Sequence, residues 1–186
     1  MYRVIGVNRR LLRNIGDTLM PRSTERFAMS KQKGDRWERH YRNALTAEDE
    51  DDVDHVDRFG LTLPEVSMWY AVRLPGSGAG TSDDLPDVHL WHVDEADARE
   101  RSEFAAEVKA FDERTRLTNE EVDALRRYAD ATGSKAIVIA HGDYTGDRVF
   151  TVDELHSTES GYTISKSRDF DKGRSFAEFV NRPTSV

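Results

Sequence analysis

The sequence predicts an α/β fold, a mixed central β-sheet flanked by helices. Residues 34–46 and 118–132 repeat apolar side chains at intervals of three and four, the spacing of one buried helical face. Short runs rich in aromatic and β-branched residues fall between and after them, the composition of strands. Their order is helix, three strands, helix, two strands, with no internal repeat and no low-complexity block.

The first helix, from Gly34 to about Thr46, turns Trp37, Tyr41, Ala44 and Leu45 to one side. Glu38 and Arg42 stand one turn apart on it, and for Glu38 taken alone an exposed helical ion pair is the expected role. Residues 47–65 are acidic and broken by Gly60 and Pro64, so they read as a surface insertion. Met68–Val72 is a strand that delivers Arg73. The following loop holds Gly76, Gly78 and Gly80, and either folds over a substrate phosphate or is an ordinary connection. It lacks the Gly-Lys-Ser/Thr of a nucleotide-binding loop.

Asp87 to Val93 alternates, with Val88 and Leu90 on one face and Asp87, His89 and Trp91 on the other. His89 and His92 have no third histidine at ligand spacing and read as structural. An acidic turn, 94–102, leads to a strand from Glu103 to Ala110. The second helix has Thr118 as N-cap, Glu121 completing a capping box, Val122, Leu125, Tyr128 and Ala129 as its apolar face, and Gly133 as its stop. Ala136–Ala140 is a wholly apolar, buried strand, with Arg148–Val152 as its hairpin partner across the turn 143–147. Tyr162–Ile164 is expected to add an edge, and Ser175–Val180 a last short helix.

A chain of 186 residues has room for one domain and a modest appendage. The absence of cysteine removes thiolate metal sites, disulfides and cysteine nucleophiles, and fits a reducing compartment. No apolar run approaches the ~20 residues that span a bilayer and no secretory signal opens the chain, so a cytoplasmic protein with no membrane partner is expected. Residues 1–28 carry Arg3, Arg9, Arg10, Arg13, Arg22 and Arg26 against Asp17 and Glu25. This basic extension reads as a nucleic-acid-binding arm, a short helix, or residues upstream of a start at Met29; the last is favoured, leaving 29–186 as the domain.

The chemistry concentrates in Glu107-Val108-Lys109. In a strand, Glu107 and Lys109 project to one side and Val108 to the other. If Asp87 begins the neighbouring strand, two carboxylates converge and suit a hard divalent cation such as magnesium, with Lys109 at its edge. That set fits metal-assisted phosphodiester hydrolysis. The net charge of -8 argues against a polyanionic partner, but the acid is concentrated at 48–57, 94–103 and 112–113, away from Arg39, Arg42, Arg73 and Lys109. Abundant Asp and Glu with few lysines also resembles proteins of salt-loving archaea, where at ~1 M salt the Debye length is about 3 Å and distant acid repels little. A solvated surface without bearing on the partner explains the acidic loops themselves.

Glu38, Pro86-Asp87 and Glu107-Val108-Lys109 occur in the order of the PD-(D/E)XK nuclease superfamily. With Lys33-Gly34-x-x-x-Glu38-Arg39, Ala71-Val72-Arg73-x-Pro75-x-Ser77-Gly78, Tyr128-Ala129-x-x-x-Gly133, Phe150-x-x-x-Glu154-Leu155 and Thr158-Glu159-Ser160-Gly161-Tyr162, the chain resembles the archaeal Holliday junction resolvases over about residues 31–182. The resemblance implies a restriction-endonuclease-like nuclease fold and a homodimer that resolves four-way DNA junctions in recombination and repair. It implies Asp87, Glu107 and Glu38 as metal ligands for magnesium, with manganese as substitute, and Lys109 positioning or activating the attacking water. It further implies Arg39 and Arg73 on DNA phosphates, Ser77 as a loop serine needed for cleavage, and contacts with a sliding clamp or recombination proteins. The insertions 47–65 and 94–102, Asp112-Glu113 in place of basic residues and His141 in place of a lysine depart from the family pattern. A nuclease of this superfamily with another substrate, restriction-like or virus-encoded, and a catalytically silent DNA-binding module are the alternatives.

Overall fold

The computed structural model describes residues 36–74, 85–94, 101–142 and 146–183. Expectations for the basic segment 1–28, for Ser77 and its loop, and for residues 95–100 and 143–145 fall outside the described residues.

A six-stranded mixed sheet carries the fold. Its strands are β1 (Trp69–Arg73), β2 (Val88–Val93), β3 (Arg101–Ala110), β5 (Lys135–His141), β6 (Arg148–Thr151) and β9 (Arg174–Ser175), in that spatial order. β3 and β5 run parallel, Glu107 opposite Val138 and Lys109 opposite Ala140, while every other neighbour is antiparallel. The parallel pair needs a crossover, which α4 (Asn119–Thr132) supplies.

The two-residue period of the strands sorts the core into two halves. Phe104, Ala106, Val108, Ile137 and Ile139 face one side, under Tyr41 and Leu45 of α1 (36–45) and Phe176, Phe179 and Val180 of α6 (Phe176–Asn181). Ala105, Val138 and Ala140 face the other, under Val122, Leu125 and Ala129 of α4. The α4 signals act as the sequence implied: Glu121 N–H donates to the Thr118 hydroxyl, and Gly133 closes the helix with φ 71°. The turn between Ala129 and Gly133 thus fixes the entry into β5.

Three expectations are corrected. The acidic segment 47–65 is not merely a surface insertion: it forms a 3-10 turn (Glu50–Asp52), α2 (Val53–Asp57) and α3 (Leu63–Val66). Val56, Leu61 and Val66 from it are no more than 2% exposed, so its charges solvate one face while these apolar residues anchor the other. Tyr162–Ile164 adds no edge to the main sheet. It belongs to β8 (Gly161–Ser165), the middle of a separate three-stranded sheet with β4 (Arg114–Leu117) and β7 (His156–Thr158). The sequence does not signal β4, since Arg114-Thr115-Arg116 offers no apolar alternation; only its Leu117 is buried. The strand bearing Glu107 also begins earlier, at Arg101.

Candidate active site

β3 presents Glu107 and Lys109 on one face and buries Val108 on the other. The Lys109 amine lies 2.7 Å from the Glu107 carboxylate. Asp87, one residue before β2, reaches across to the same strand: its Oδ2 accepts a 2.9 Å hydrogen bond from the Val108 backbone N–H. One backbone amide therefore fixes Asp87 beside the side chains that flank Val108 in sequence.

Glu38 comes from α1 and is 4% exposed, its carboxylate 2.9 Å from the guanidinium Nε of Arg73 at the end of β1. The expected role of an exposed helical ion pair is thus wrong in place: burial leads Glu38 to an arginine on another element. Arg73 keeps nearly half of its side chain in solvent. Arg39 is exposed, one residue past Glu38 on α1. Ser77 lies outside the described residues.

The electrostatics are those of crowded, half-dried acids. Burial pushes the Asp87 carboxyl up to about 6; the Val108 amide, Lys109 and Arg73 pull against this, and Glu38 adds to it. Burial, then the neighbouring Asp87, pushes Glu107 up to about 7, against the pull of Lys109. Burial works against the charged amine of Lys109, but Glu107 and Glu121 outweigh it and hold its pKa above that of a free lysine. Two raised carboxylates that repel each other form a hard-oxygen donor pair that a divalent cation would relieve. Among the described residues, no three His, Asp or Glu side chains already converge as a cation cage, and Glu38 is turned toward Arg73.

His89 and His92 are not drawn into the site. His89 sits between the Glu103 carboxylate at 3.2 Å and the Tyr128 hydroxyl at 3.3 Å, tying β2 to β3 and α4. His141 is buried on the opposite side of the sheet, paired with Asp147 and stacked on Trp37 of α1.

Glu121 makes a contact that its spacing does not announce. The sequence points it only to the capping box, yet its Oε1 is 2.9 Å from the Lys109 amine. A box uses one carboxylate oxygen and leaves the other available, but nothing in the spacing tells which side chain α4 will meet.

The model of the archaeal Holliday junction resolvase (Hjc) family matches residues 65–186. The chain belongs to that family. The match includes Arg73, Asp87, Glu107, Lys109 and Glu121; Glu38 and Arg39 precede it. Among solved structures, the chain is similar to the Holliday junction resolvase Hjc of the archaeal hyperthermophile Archaeoglobus fulgidus, with 28% sequence identity and a TM-score of 0.52. The likeness covers 63% of this chain and 93% of the Archaeoglobus one. No curated protein sequence matches this one. As a member of the Holliday junction resolvase family, the chain is a nuclease of DNA recombination, and the family implies use of a divalent metal ion. The central mixed sheet flanked by helices is the family's nuclease fold.

Proposed function

We propose that this resolvase is a magnesium-dependent endodeoxyribonuclease that acts as a homodimer on four-way junctions, with Asp87, Glu107 and Lys109 at its centre. The observation that carries this reading is the Val108 hydrogen bond that seats the Asp87 carboxylate against the strand bearing Glu107 and Lys109. Asp87 and Glu107 would hold the ion, with Glu38 close enough to contribute. The ion, when bound, polarises a phosphoryl oxygen and lowers the pKa of an attacking water, and manganese would serve in its place. Lys109, protonated between carboxylates, donates hydrogen bonds that position that water. Arg73 and Arg39, both exposed, would meet the phosphates beside the cut, and Ser77 would act from the loop after β1.

Two-fold pairing suits a substrate with two-fold symmetry. Support for a dimer comes from β1, an edge strand whose Tyr70 and Val72 are 48% and 46% exposed while Trp69 and Ala71 face the core. Tyr70 stacks on Trp91 of β2, with ring centroids 5.5 Å apart, so the exposed apolar face is continuous across two strands. No helix among the described residues is long and apolar enough to cross a membrane. A cytoplasmic setting is proposed on the nucleic-acid substrate, and a salt-rich one on the acidic surface; full stability near zero salt would count against the latter.

The test is cleavage of a synthetic four-way junction and of linear duplex, with and without magnesium. Junction-selective, metal-dependent cutting is expected, with Asp87→Ala and Glu107→Ala inactive but still binding junction. Equal cutting of duplex would make this a nuclease of the same fold with another substrate. Undiminished cleavage by both variants would refute the assigned centre, and no cleavage under any metal would leave a silent DNA-binding module.

A further inference from the structure

A capping box asks one thing of the glutamate at its third position: an oxygen for the N-cap amide. Glu121 meets this with Oε2, which accepts the Thr118 N–H at 2.6 Å. Its other oxygen, Oε1, faces the Lys109 amine at 2.9 Å. The carboxylate therefore bridges the first turn of α4 and the catalytic strand, and each of its oxygens has a separate task.

Lysine carries its charge on a flexible four-carbon stem with three donors, so one ion pair leaves its amine free to swing. Here Glu107 at 2.7 Å and Glu121 at 2.9 Å hold it from two elements. The two contacts differ in what else they must do. Glu107 is the carboxylate assigned to the metal ion; Glu121 has no other partner of that kind, and its geometry is set by a helix terminus packed on the sheet through Val122 and Leu125.

We propose that Glu121 is a positioning residue for the cleavage reaction, holding the Lys109 amine in place through a contact independent of Glu107. The inference rests on Lys109 belonging to the catalytic centre, and the test separates the two ideas. Glutamine has a single side-chain oxygen and an amide that donates, so Glu121→Gln keeps the size of the side chain but not both acceptor contacts. A side chain displaced by about 1 Å from its working position costs on the order of 100-fold in rate.

The experiment compares wild type, Glu121→Gln, Thr118→Ala, Lys109→Met and the double variant Lys109→Met with Glu121→Gln. For each, it measures single-turnover cleavage, junction dissociation constant in EDTA, and melting temperature. The expected result for Glu121→Gln is a rate lowered by roughly 10- to 100-fold, with junction affinity within about 2-fold of wild type. Lys109→Met should lose more, with no further loss in the double variant. Thr118→Ala removes the hydroxyl that caps Glu121 N–H and also faces the Glu121 carboxylate, but keeps the Thr118 amide that holds Oε2, so melting temperature should fall while the rate falls less than in Glu121→Gln. In metal-free protein, the ¹H–¹⁵N signal of the Lys109 ammonium should be visible in wild type and broadened in Glu121→Gln.

A Glu121→Gln rate equal to wild type beside an inactive Lys109→Met overturns the positioning role and leaves the centre standing. Rate losses that track melting temperature in both Glu121→Gln and Thr118→Ala also overturn it. Full activity of Lys109→Met overturns the centre itself.

Discussion

The amide of Val108 and the carboxylate of Asp87 are joined by a 2.9 Å hydrogen bond across 21 residues of sequence. That bond holds an acid where burial and like charge oppose its ionisation. Its pKa, pushed up to about 6 chiefly by burial, makes the acid a stability cost at neutral pH. A carboxyl whose pKa is raised on folding stabilises below its ordinary range and loses that contribution as pH rises through the folded value. Asp87→Asn keeps an oxygen for Val108 and removes the charge. In EDTA it should gain about 1–2 kcal/mol at pH 8, a gain that vanishes at pH 4, while abolishing cleavage. Thermal melts at the two pH values check this; an unchanged or lowered melting temperature at pH 8 would contradict the buried-charge account.

The same two acids predict how metal acts on the folded protein. A ligand bound only to the native state stabilises it by about 2.7 kcal/mol at a hundred times its dissociation constant. Saturating magnesium or manganese should therefore raise the melting temperature of wild type, but not of Asp87→Asn or Glu107→Gln. Because Asp87 and Glu107 must shed protons that they hold to about 6 and about 7, apparent affinity should climb as pH rises through those values and level off above them. A thermal-shift titration across pH checks it; a pH-independent shift would place the ion elsewhere.

Where local signals decide the structure, the sequence was readable. The capping box at Thr118, the stop at Gly133 and the alternation that sends Glu107 and Lys109 one way and Val108 the other each depend on near neighbours, and each is present. What stayed hidden depends on tertiary placement. β4 is a strand because β8 offers it a partner, not because Arg114-Thr115-Arg116 prefers one. Glu38 shows the same limit, its partner Arg73 lying 35 positions along the chain on a strand the helix packs beside. Glu121 is the sharper case: its spacing from Thr118 announced a cap, while its contact with Lys109 exists only because α4 crosses over β3.

The exposed face of β1 makes a prediction about assembly. A charge placed among Tyr70, Val72 and Trp91 would be desolvated in a dimer but solvated in a monomer. Tyr70→Asp and Val72→Asp should leave the fold intact, since both side chains are only about half buried in the protomer. Sedimentation velocity should then show dimers for wild type and monomers for the variants. Variants that remain dimeric would move the interface off this face.

The last prediction concerns Gly161, in the small sheet, whose backbone lies against the start of α4. It adopts φ 141°, a value that side chains rarely take, and a Cβ there would press into the Leu117 carbonyl oxygen and crowd the Thr118 backbone. Leu117 ends β4 and Thr118 caps α4, so the crowding falls at the segment that seats Glu121. Overpacking and backbone strain each cost about 1–3 kcal/mol, and Gly161→Ala should lower stability by roughly 3 kcal/mol in urea unfolding. If Glu121 positions Lys109 through this helix start, the variant should also cleave more slowly under conditions where it is still folded, and Glu121→Gln placed on top of it should cost less than it does alone. Independent, multiplying rate losses would mean that the small sheet supports the fold without guiding Lys109.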